Sequence, residues 1–198
     1  MSESARRALV GRPEATSHAA IEQAAFRLFA ERGFDGTTME AIAEAVGVGR
    51  RTLFRYYASK NDIPWGQFDQ TLDGFRQILQ AMPDDLPLRE AVHRGVVAFN
   101  DFPADAEPSH RERMRLILET PALQAHSVLR YGQWRAVIAE YVADRLGLAP
   151  EDLVPATIAQ VSLALALTAY ERWLADESVS LHDLLDGAMD ALAGYIGG

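Results

Sequence analysis

Apolar residues recur every three or four positions from residue 21 onward, which is the spacing of an amphipathic helix. This stripe consists of Ile21, Ala24, Ala25, Leu28 and Phe29. Ser17 precedes the stripe as an N-cap. Gly33 follows it as a left-handed C-cap, from which Phe34 can fold back onto the stripe. The pattern therefore predicts a first helix that begins at Thr16 and ends near Gly33.

Two shorter helices are predicted next. Thr37-Thr-Met-Glu40 has the spacing of a capping box, in which Thr37 and Glu40 satisfy each other's backbone donors. The inward positions of this second helix are Met39, Ile42, Ala43 and Val46. After the tight turn at residues 47–49, residues 50–57 form a third helix, with Leu53 and Tyr57 one turn apart on its inward face. This arrangement is a helix-turn-helix.

The third predicted helix carries side chains that suit the major groove of DNA. Arg50, Arg51 and Thr52 lie at its N-terminal end, which faces base edges in a helix-turn-helix. Arginine can bond a guanine edge through two hydrogen bonds, and threonine can contact a thymine methyl group. Phe54 projects from the same face and can pack on thymine methyl groups or sugars.

Four more residues are predicted to hold the DNA backbone. Arg55, Tyr56 and Lys60 lie further along the chain, where phosphate contacts fix the register. Thr38 begins the second helix, and its hydroxyl and the neighbouring N–H groups suit one phosphate. The alternative is that Phe54 and Tyr56 are core residues and that the cations form a solvated helix face.

The order of these motifs resembles the DNA-binding region of the TetR family of bacterial transcriptional regulators over residues 17–63. The matching segments are residues 33–38, 42–43, 46–48 and 52–60. The resemblance implies an all-helical dimer with a small-molecule pocket in its second domain, and DNA contacts from the residues just named. Two departures are Gly49, where the family often has Ser or Thr, and Arg51, where it often has glycine.

Helical periods continue through the rest of the chain and predict six more helices. They span residues 59–81, 88–100, 109–119, 121–147, 151–175 and 180–196. Pro64 is tolerated only near a helix start, so the regular part of the first of these begins near it. The prediction is an all-α chain of about nine helices. It comprises a flexible arm (residues 1–15, with Arg6, Arg7 and Arg12), a helix-turn-helix domain (16–60) and an effector-binding and dimerisation domain (61–198).

The last two predicted helices carry more apolar surface than one chain would bury, which predicts a dimer interface. Its candidate residues are Ile158, Val161, Leu165, Trp173, Leu181, Leu185, Met189 and Leu192. A dimer would present two recognition helices about 34–36 Å apart, which matches successive major grooves of a palindromic operator. The alternative is that both helices are buried in a monomer.

Aromatic and flexible apolar residues are spread over the central helices. They are Phe75, Phe99, Phe102, Met114, Leu118, His126, Tyr131 and Trp134. Such residues usually form core, but a cavity among them would suit a small hydrophobic effector, with His126 as a polar contact.

A second resemblance covers most of the chain. Residues 61–66, 99–103, 110–114, 121–127 and 169–175 are similar to TetR-type regulators encoded with mycofactocin biosynthesis genes. The resemblance implies control of the pathway for a peptide-derived redox cofactor. Acyl-CoA thioesters are the effectors that the family analogy implies.

Composition and charge exclude other classes of protein. The chain has no cysteine, which excludes disulfides, thiolate metal sites and cysteine nucleophiles. The formal net charge is −9, but residues 1–60 carry +2 and residues 61–198 carry −11. The uncharged run over residues 153–170 is interrupted by Pro155 and polar residues, and it is predicted to be a buried helix. We therefore expect a soluble, cytoplasmic protein that uses no cofactor and binds no membrane.

Two other functions remain as alternatives. Glu90-x-x-His93 and Glu107-x-x-His110 have the spacing found in di-metal carboxylate bundles, which need further glutamates. Those glutamates could be Glu119, Glu140 and Glu171. The second alternative is a helical lipid or acyl carrier that does not bind DNA. Because no G-x-S-x-G motif occurs, a serine hydrolase has no support, and we expect no enzyme.

Overall fold

A computed structural model describes residues 16–197 of the chain. The elements in this range are α1 (His18–Gly36), α2 (Met39–Ala45), α3 (Arg50–Leu53), a 3-10 helix (Lys60–Trp65), α4 (Phe68–Gln80), α5 (Leu88–Phe99), α6 (His110–Glu119), α7 (Pro121–Leu146), α8 (Leu153–Ala175) and α9 (Leu181–Gly197). These residues form no strand, which confirms the all-α class. The predicted arm, with Arg6, Arg7 and Arg12, lies outside the described residues.

The chain divides into two compact units, Met1–Ile63 and Pro64–Gly198. In the N-terminal unit, the Ser17 side chain accepts a hydrogen bond from the Ala20 N–H, as predicted for the N-cap of α1. Gly33 has φ 74° and ψ 163°, so it interrupts the helix without adopting the left-handed helical conformation. The helix then resumes for a short stretch, and the Phe34 ring packs 5.0 Å from the Phe29 ring.

The predicted capping box at Thr37 and Glu40 is wrong. Thr37 is only 1% exposed, and its hydroxyl lies 3.1 Å from the Leu28 carbonyl oxygen and 2.9 Å from the Gly33 carbonyl oxygen. Because Thr37 is committed to the end of α1, Thr38 is the N-cap of α2, and its side chain accepts from the Ala41 N–H.

The recognition segment is shorter than predicted. α3 contains only Arg50–Leu53, and the backbone then tightens through hydrogen bonds from Arg55 to Thr52 and from Tyr56 to Leu53. Leu53 is 0% exposed and Tyr57 is 3% exposed, which confirms that both face inward.

The first regular helix of the C-terminal unit was predicted to begin near Pro64, and it begins slightly later. Lys60–Trp65 forms a 3-10 helix that contains Pro64, and Gly66 has φ 59°. Proline removes a backbone donor, and a positive φ is accessible mainly to glycine. The regular helix therefore begins only at Phe68.

The C-terminal unit is a helical bundle with one apolar core. α8 packs between α7 and α9, and α4 packs against α5 and α7. α8 is long and apolar enough to cross a membrane by length and composition. Its inward face contributes Ala159, Leu163, Ala166 and Ala169 to the same core as Phe75 of α4 and Ile138 of α7.

Three polar side chains form a chain of hydrogen bonds in the interior of this bundle. The Tyr170 hydroxyl on α8 donates to the amide oxygen of Asn100, which follows α5, and the Asn100 amide donates to the Val96 carbonyl oxygen at 2.7 Å. The His110 Nε2 atom at the start of α6 lies 2.7 Å from the same Tyr170 hydroxyl. Buried polar groups need partners, so these bonds stabilise the relative positions of α5, α6 and α8.

Burial, and to a smaller extent the nearby Arg113 guanidinium, lowers the pKa of His110 from 6.5 to about 3. As the pH falls below 6.5, His110 therefore becomes protonated in the unfolded chain but stays neutral in the folded chain. This difference favours the unfolded state. We expect wild-type protein to lose about 2 kcal/mol of folding free energy through this group between pH 7 and pH 5, and His110→Gln to lack this loss. Urea denaturation at the two pH values measures the difference.

The matched variant is Tyr170→Phe, which removes the hydrogen bonds of the Tyr170 hydroxyl with Asn100 and His110 but keeps the buried histidine. It should lower stability at both pH values and keep the wild-type pH dependence. Equal pH dependence in wild type and His110→Gln would show that His110 does not carry the effect.

Candidate nucleic-acid interface

The outer face of the recognition segment is cationic. Arg50, Arg51 and Arg55 are exposed, and Phe54 beside them is 40% exposed. The Arg50 Nε atom lies 3.0 Å from a Glu40 carboxylate oxygen, and its guanidinium carbon lies 5.3 Å from the centre of the Phe54 ring. These contacts orient Arg50, although an exposed ion pair adds little stability.

The inner face of this segment is held to α1. The Tyr57 hydroxyl donates to a Glu22 carboxylate oxygen at 2.5 Å, and Glu22 is itself only 8% exposed. The His18 ring packs edge-on against Tyr57 at 5.1 Å. Leu53 and Tyr57 face α1 and the core. The three arginines of this segment therefore face away from α1, toward solvent.

Two of the predicted phosphate contacts have other partners in the structure. The Tyr56 hydroxyl donates to the Thr16 carbonyl oxygen at 2.6 Å. The Lys60 ammonium donates to the carbonyl oxygens of Phe34 at 2.7 Å and Thr37 at 2.9 Å. These bonds satisfy carbonyls that flank or belong to α1, so both side chains also support the helix-turn-helix from within, and their contacts with DNA stay a prediction.

The remaining predicted contacts lie on accessible positions. Thr38 is exposed, and its oxygen already accepts a bond from α2, which leaves its hydroxyl proton for a phosphate. Thr52 is half-buried beside Arg51. The DNA-contacting set therefore stays a prediction that comprises Thr38, Arg50, Arg51, Thr52, Phe54, Arg55, Tyr56 and Lys60.

Most of the residues predicted for the effector pocket lie in or against the core of the C-terminal unit. The Phe75 ring lies 4.6 Å from Phe99 and 5.4 Å from Trp134, so these three rings pack directly on one another. Phe102 stacks on His110 at 3.8 Å. Leu118 and Tyr131 are partly buried against the core, Met114 is buried in it, and His126 is half-buried. The structure thus brings most of them into or against one core, and their role in binding stays a prediction.

Sequence reasoning missed the polar residues of this core. His110 was considered only through its spacing from Glu107, and Asn100 and Tyr170 were not singled out at all. The buried indole nitrogen of Trp65 was also missed, and it has no hydrogen-bond partner within the described residues. Sequence spacing contains no sign of these features, because their partners lie far away along the chain.

Two of the predicted dimer residues face the interior of their own subunit. Leu181 is 8% exposed and Leu185 is 3% exposed, because α9 packs these side chains against α8 and α5. This corrects their assignment to a dimer interface. Other apolar residues of α8 and α9 are exposed, notably Leu153 (81%) and Ile196 (72%).

The glutamate–histidine pairs do not converge on a metal site. His93 bonds Asp186 at 2.7 Å, and His110 bonds Tyr170. Over residues 16–197, no three carboxylate or imidazole side chains come together in a way that could hold a metal ion. The di-metal alternative is therefore not favoured.

Comparison with known proteins supplies the family. Residues 21–63 match the family described as "Bacterial regulatory proteins, tetR family", and residues 86–196 match "MftR C-terminal domain". The chain is 46% identical over 183 residues to a Mycobacterium tuberculosis H37Rv protein that carries the name of a mycofactocin biosynthesis transcriptional regulator, MftR, covering 92% of each chain. It is 29% identical over 178 residues to the HTH-type transcriptional regulator TcmR of Streptomyces glaucescens, covering 85% of this chain and 79% of that protein.

Solved structures share the fold at lower identity. SmeT, the repressor of a Stenotrophomonas maltophilia multidrug efflux pump, has a TM-score of 0.61 at 18% identity, covering 91% of this chain and 90% of its own. FadR of Thermus thermophilus, a TetR-family repressor in complex with lauroyl-CoA, has a TM-score of 0.58 at 22% identity, covering 89% and 93%. On the strength of the family matches and the 46% identical relative, the chain belongs to the TetR family of bacterial transcriptional regulators and carries the MftR-type C-terminal domain.

Proposed function

We propose that this regulator is a repressor that binds a palindromic operator as a homodimer and is released by a small hydrophobic effector. The observation that carries the DNA-binding part is the exposed cationic face of Arg50, Arg51 and Arg55, held in place from behind by Leu53 and Tyr57. In this assignment Arg50 and Arg51 contact base edges, and Arg55 and Thr38 contact phosphates.

The homodimer is supported by the apolar surface that α8 and α9 leave exposed. Leu153 and Val154 are exposed at the start of α8, and Tyr195 and Ile196 are exposed at the end of α9. With Leu181 and Leu185 removed, the proposed interface comprises Ile158, Val161, Leu165, Trp173, Met189 and Leu192 together with these exposed residues. A two-fold dimer matches a palindromic operator because both have the same symmetry.

An acyl-CoA is the effector class that fits best. The interior of the C-terminal unit is rich in aromatic rings, which suit an alkyl chain, and FadR of Thermus thermophilus holds lauroyl-CoA in the same fold. Effector binding would favour a conformation of α4 in which the two recognition segments no longer match both half-sites. The name of the Mycobacterium tuberculosis relative makes mycofactocin biosynthesis genes the first candidates for regulation.

We place the protein in the cytoplasm with its DNA, and we assign it no catalytic activity.

Arg51→Ala tests the assignment of the recognition surface. If Arg51 bonds a base edge, the variant should bind the operator more weakly by about 1–3 kcal/mol, and more of the loss should occur on specific than on random DNA. Operator fragments recovered by genome-wide pull-down with the wild-type protein provide the DNA, and fluorescence anisotropy measures the affinity.

Arg89→Ala is the matched control because it removes an exposed arginine from α5 in the other unit. It should leave operator affinity unchanged. An acyl carrier without DNA binding predicts instead that neither variant matters and that the wild type retains no genomic fragment.

Lauroyl-CoA tests the effector class. Because a typical coupling between two sites is about 1–3 kcal/mol, saturating lauroyl-CoA should weaken operator binding by about 5- to 150-fold. Titration of the protein–operator complex measures the change, and free CoA and laurate are the controls. Unchanged operator affinity at every lauroyl-CoA concentration would reject an acyl-CoA of this chain length as the effector.

A further inference from the structure

The indole nitrogen of Trp65 is an unusual donor in the C-terminal unit. It is buried from solvent and has no hydrogen-bond partner in the structure. Buried donors in folded proteins are nearly always paired, because an unpaired one loses its bond to water without replacement. A donor left unpaired in this way is a specific reason to look for a ligand that supplies the acceptor.

The immediate neighbours of the Trp65 ring are aromatic. Its ring meets Phe68 of α4 edge-on at 5.1 Å and Tyr131 of α7 edge-on at 5.8 Å. Burial raises the pKa of Tyr131, whose hydroxyl is hydrogen-bonded to Ser127. The Trp65 ring therefore lies against two aromatic side chains, on which an alkyl chain can pack.

The nearby cations already have acceptors. The Arg113 guanidinium donates to the Pro64 carbonyl oxygen at 2.7 Å, and an Arg130 nitrogen lies 3.8 Å from an Asp69 carboxylate oxygen. An anionic ligand group at Trp65 would have to compete with these contacts and would be costly to bury. A neutral carbonyl oxygen needs only the indole N–H.

Trp65 also occupies a position from which a ligand can affect the recognition unit. It follows the end of the N-terminal unit by two residues, and the carbonyl immediately before it is bonded to Arg113 of α6. Gly66, with φ 59°, separates it from α4. A ligand bond at Trp65 would therefore act on a short, constrained segment that is covalently continuous with the helix-turn-helix.

We propose that the Trp65 indole N–H donates to the thioester carbonyl oxygen of the acyl-CoA effector, and that this bond makes Trp65 a specificity-determining residue for effector recognition. The inference rests on the proposed function and adds to it the atom that recognises the thioester. The bound alkyl chain packs against Phe68 and Tyr131.

The test compares lauroyl-CoA with dodecyl-CoA, a thioether of the same chain length that lacks the carbonyl oxygen. Wild-type protein should bind lauroyl-CoA about three- to tenfold more tightly than dodecyl-CoA. This is the affinity ratio that the net free energy of one neutral hydrogen bond produces. Trp65→Phe keeps an aromatic ring but removes the donor, so it should bind the two ligands equally. Calorimetric titration of both ligands against both proteins isolates this pair interaction.

Tyr141→Phe is the matched control, since it removes a polar atom from an aromatic residue of α7 away from Trp65 and should keep the preference for lauroyl-CoA. A Trp65→Phe protein that binds operator DNA and retains the preference overturns the inference. If lauroyl-CoA releases wild type and Trp65→Phe from DNA equally well, the proposed function stands and the role of Trp65 is wrong. If lauroyl-CoA neither binds nor releases the wild type, the acyl effector is wrong and the inference fails with it.

A spectroscopic measurement on the wild-type protein remains decisive if Trp65→Phe does not fold. The chain has three tryptophans, so ¹⁵N-indole labelling gives three N–H signals, which can be assigned by elimination through Trp134→Phe and Trp173→Phe. Lauroyl-CoA should move the Trp65 proton signal downfield, as a new hydrogen bond does, and dodecyl-CoA should not. A Trp65 signal that responds identically to both ligands overturns the inference.

Discussion

The proposed DNA-binding surface depends on a buried hydrogen bond between the Tyr57 hydroxyl and the Glu22 carboxylate. A buried carboxylate destabilises the fold unless it has a partner, so Glu22 requires Tyr57 to point toward α1. Leu53, at 0% exposure, holds the same segment from the same side. Because the inward face is fixed in this way, a helix of only four residues can present Arg50 and Arg51 in a defined orientation.

The C-terminal unit combines two kinds of polar group in one apolar interior. Asn100, His110 and Tyr170 satisfy one another and stabilise a single arrangement of helices. The Trp65 indole N–H has no acceptor among residues 16–197, and the proposed ligand would supply one. A regulator needs this difference, because a ligand shifts an equilibrium only by binding one state more tightly than another.

Capping motifs show how far a local pattern can be trusted. Ser/Thr-x-x-Glu occurs both at Thr37–Glu40 and at Ser109–Glu112, and only the second forms a capping box. At Ser109 the hydroxyl and the backbone N–H both bond Glu112, which lowers the pKa of that carboxyl. At Thr37 the hydroxyl bonds carbonyls of α1 instead, and Glu40 is left to pair with Arg50. The two sites differ in the residues that pack against them, and the four-residue motif carries no information about those residues.

The sequence by itself determined the all-α class, the positions of the helices in the C-terminal unit and the presence of a helix-turn-helix. These properties follow from the helical period, proline and glycine, which act over a few neighbouring residues. Only the tertiary structure decided which polar atoms face inward. Lys60 and Tyr56 bond backbone carbonyls 23 to 40 residues away, and Leu185 turns into its own subunit rather than toward a partner. Such choices depend on contacts between segments that are distant along the chain, and those contacts exist only once the helices have packed.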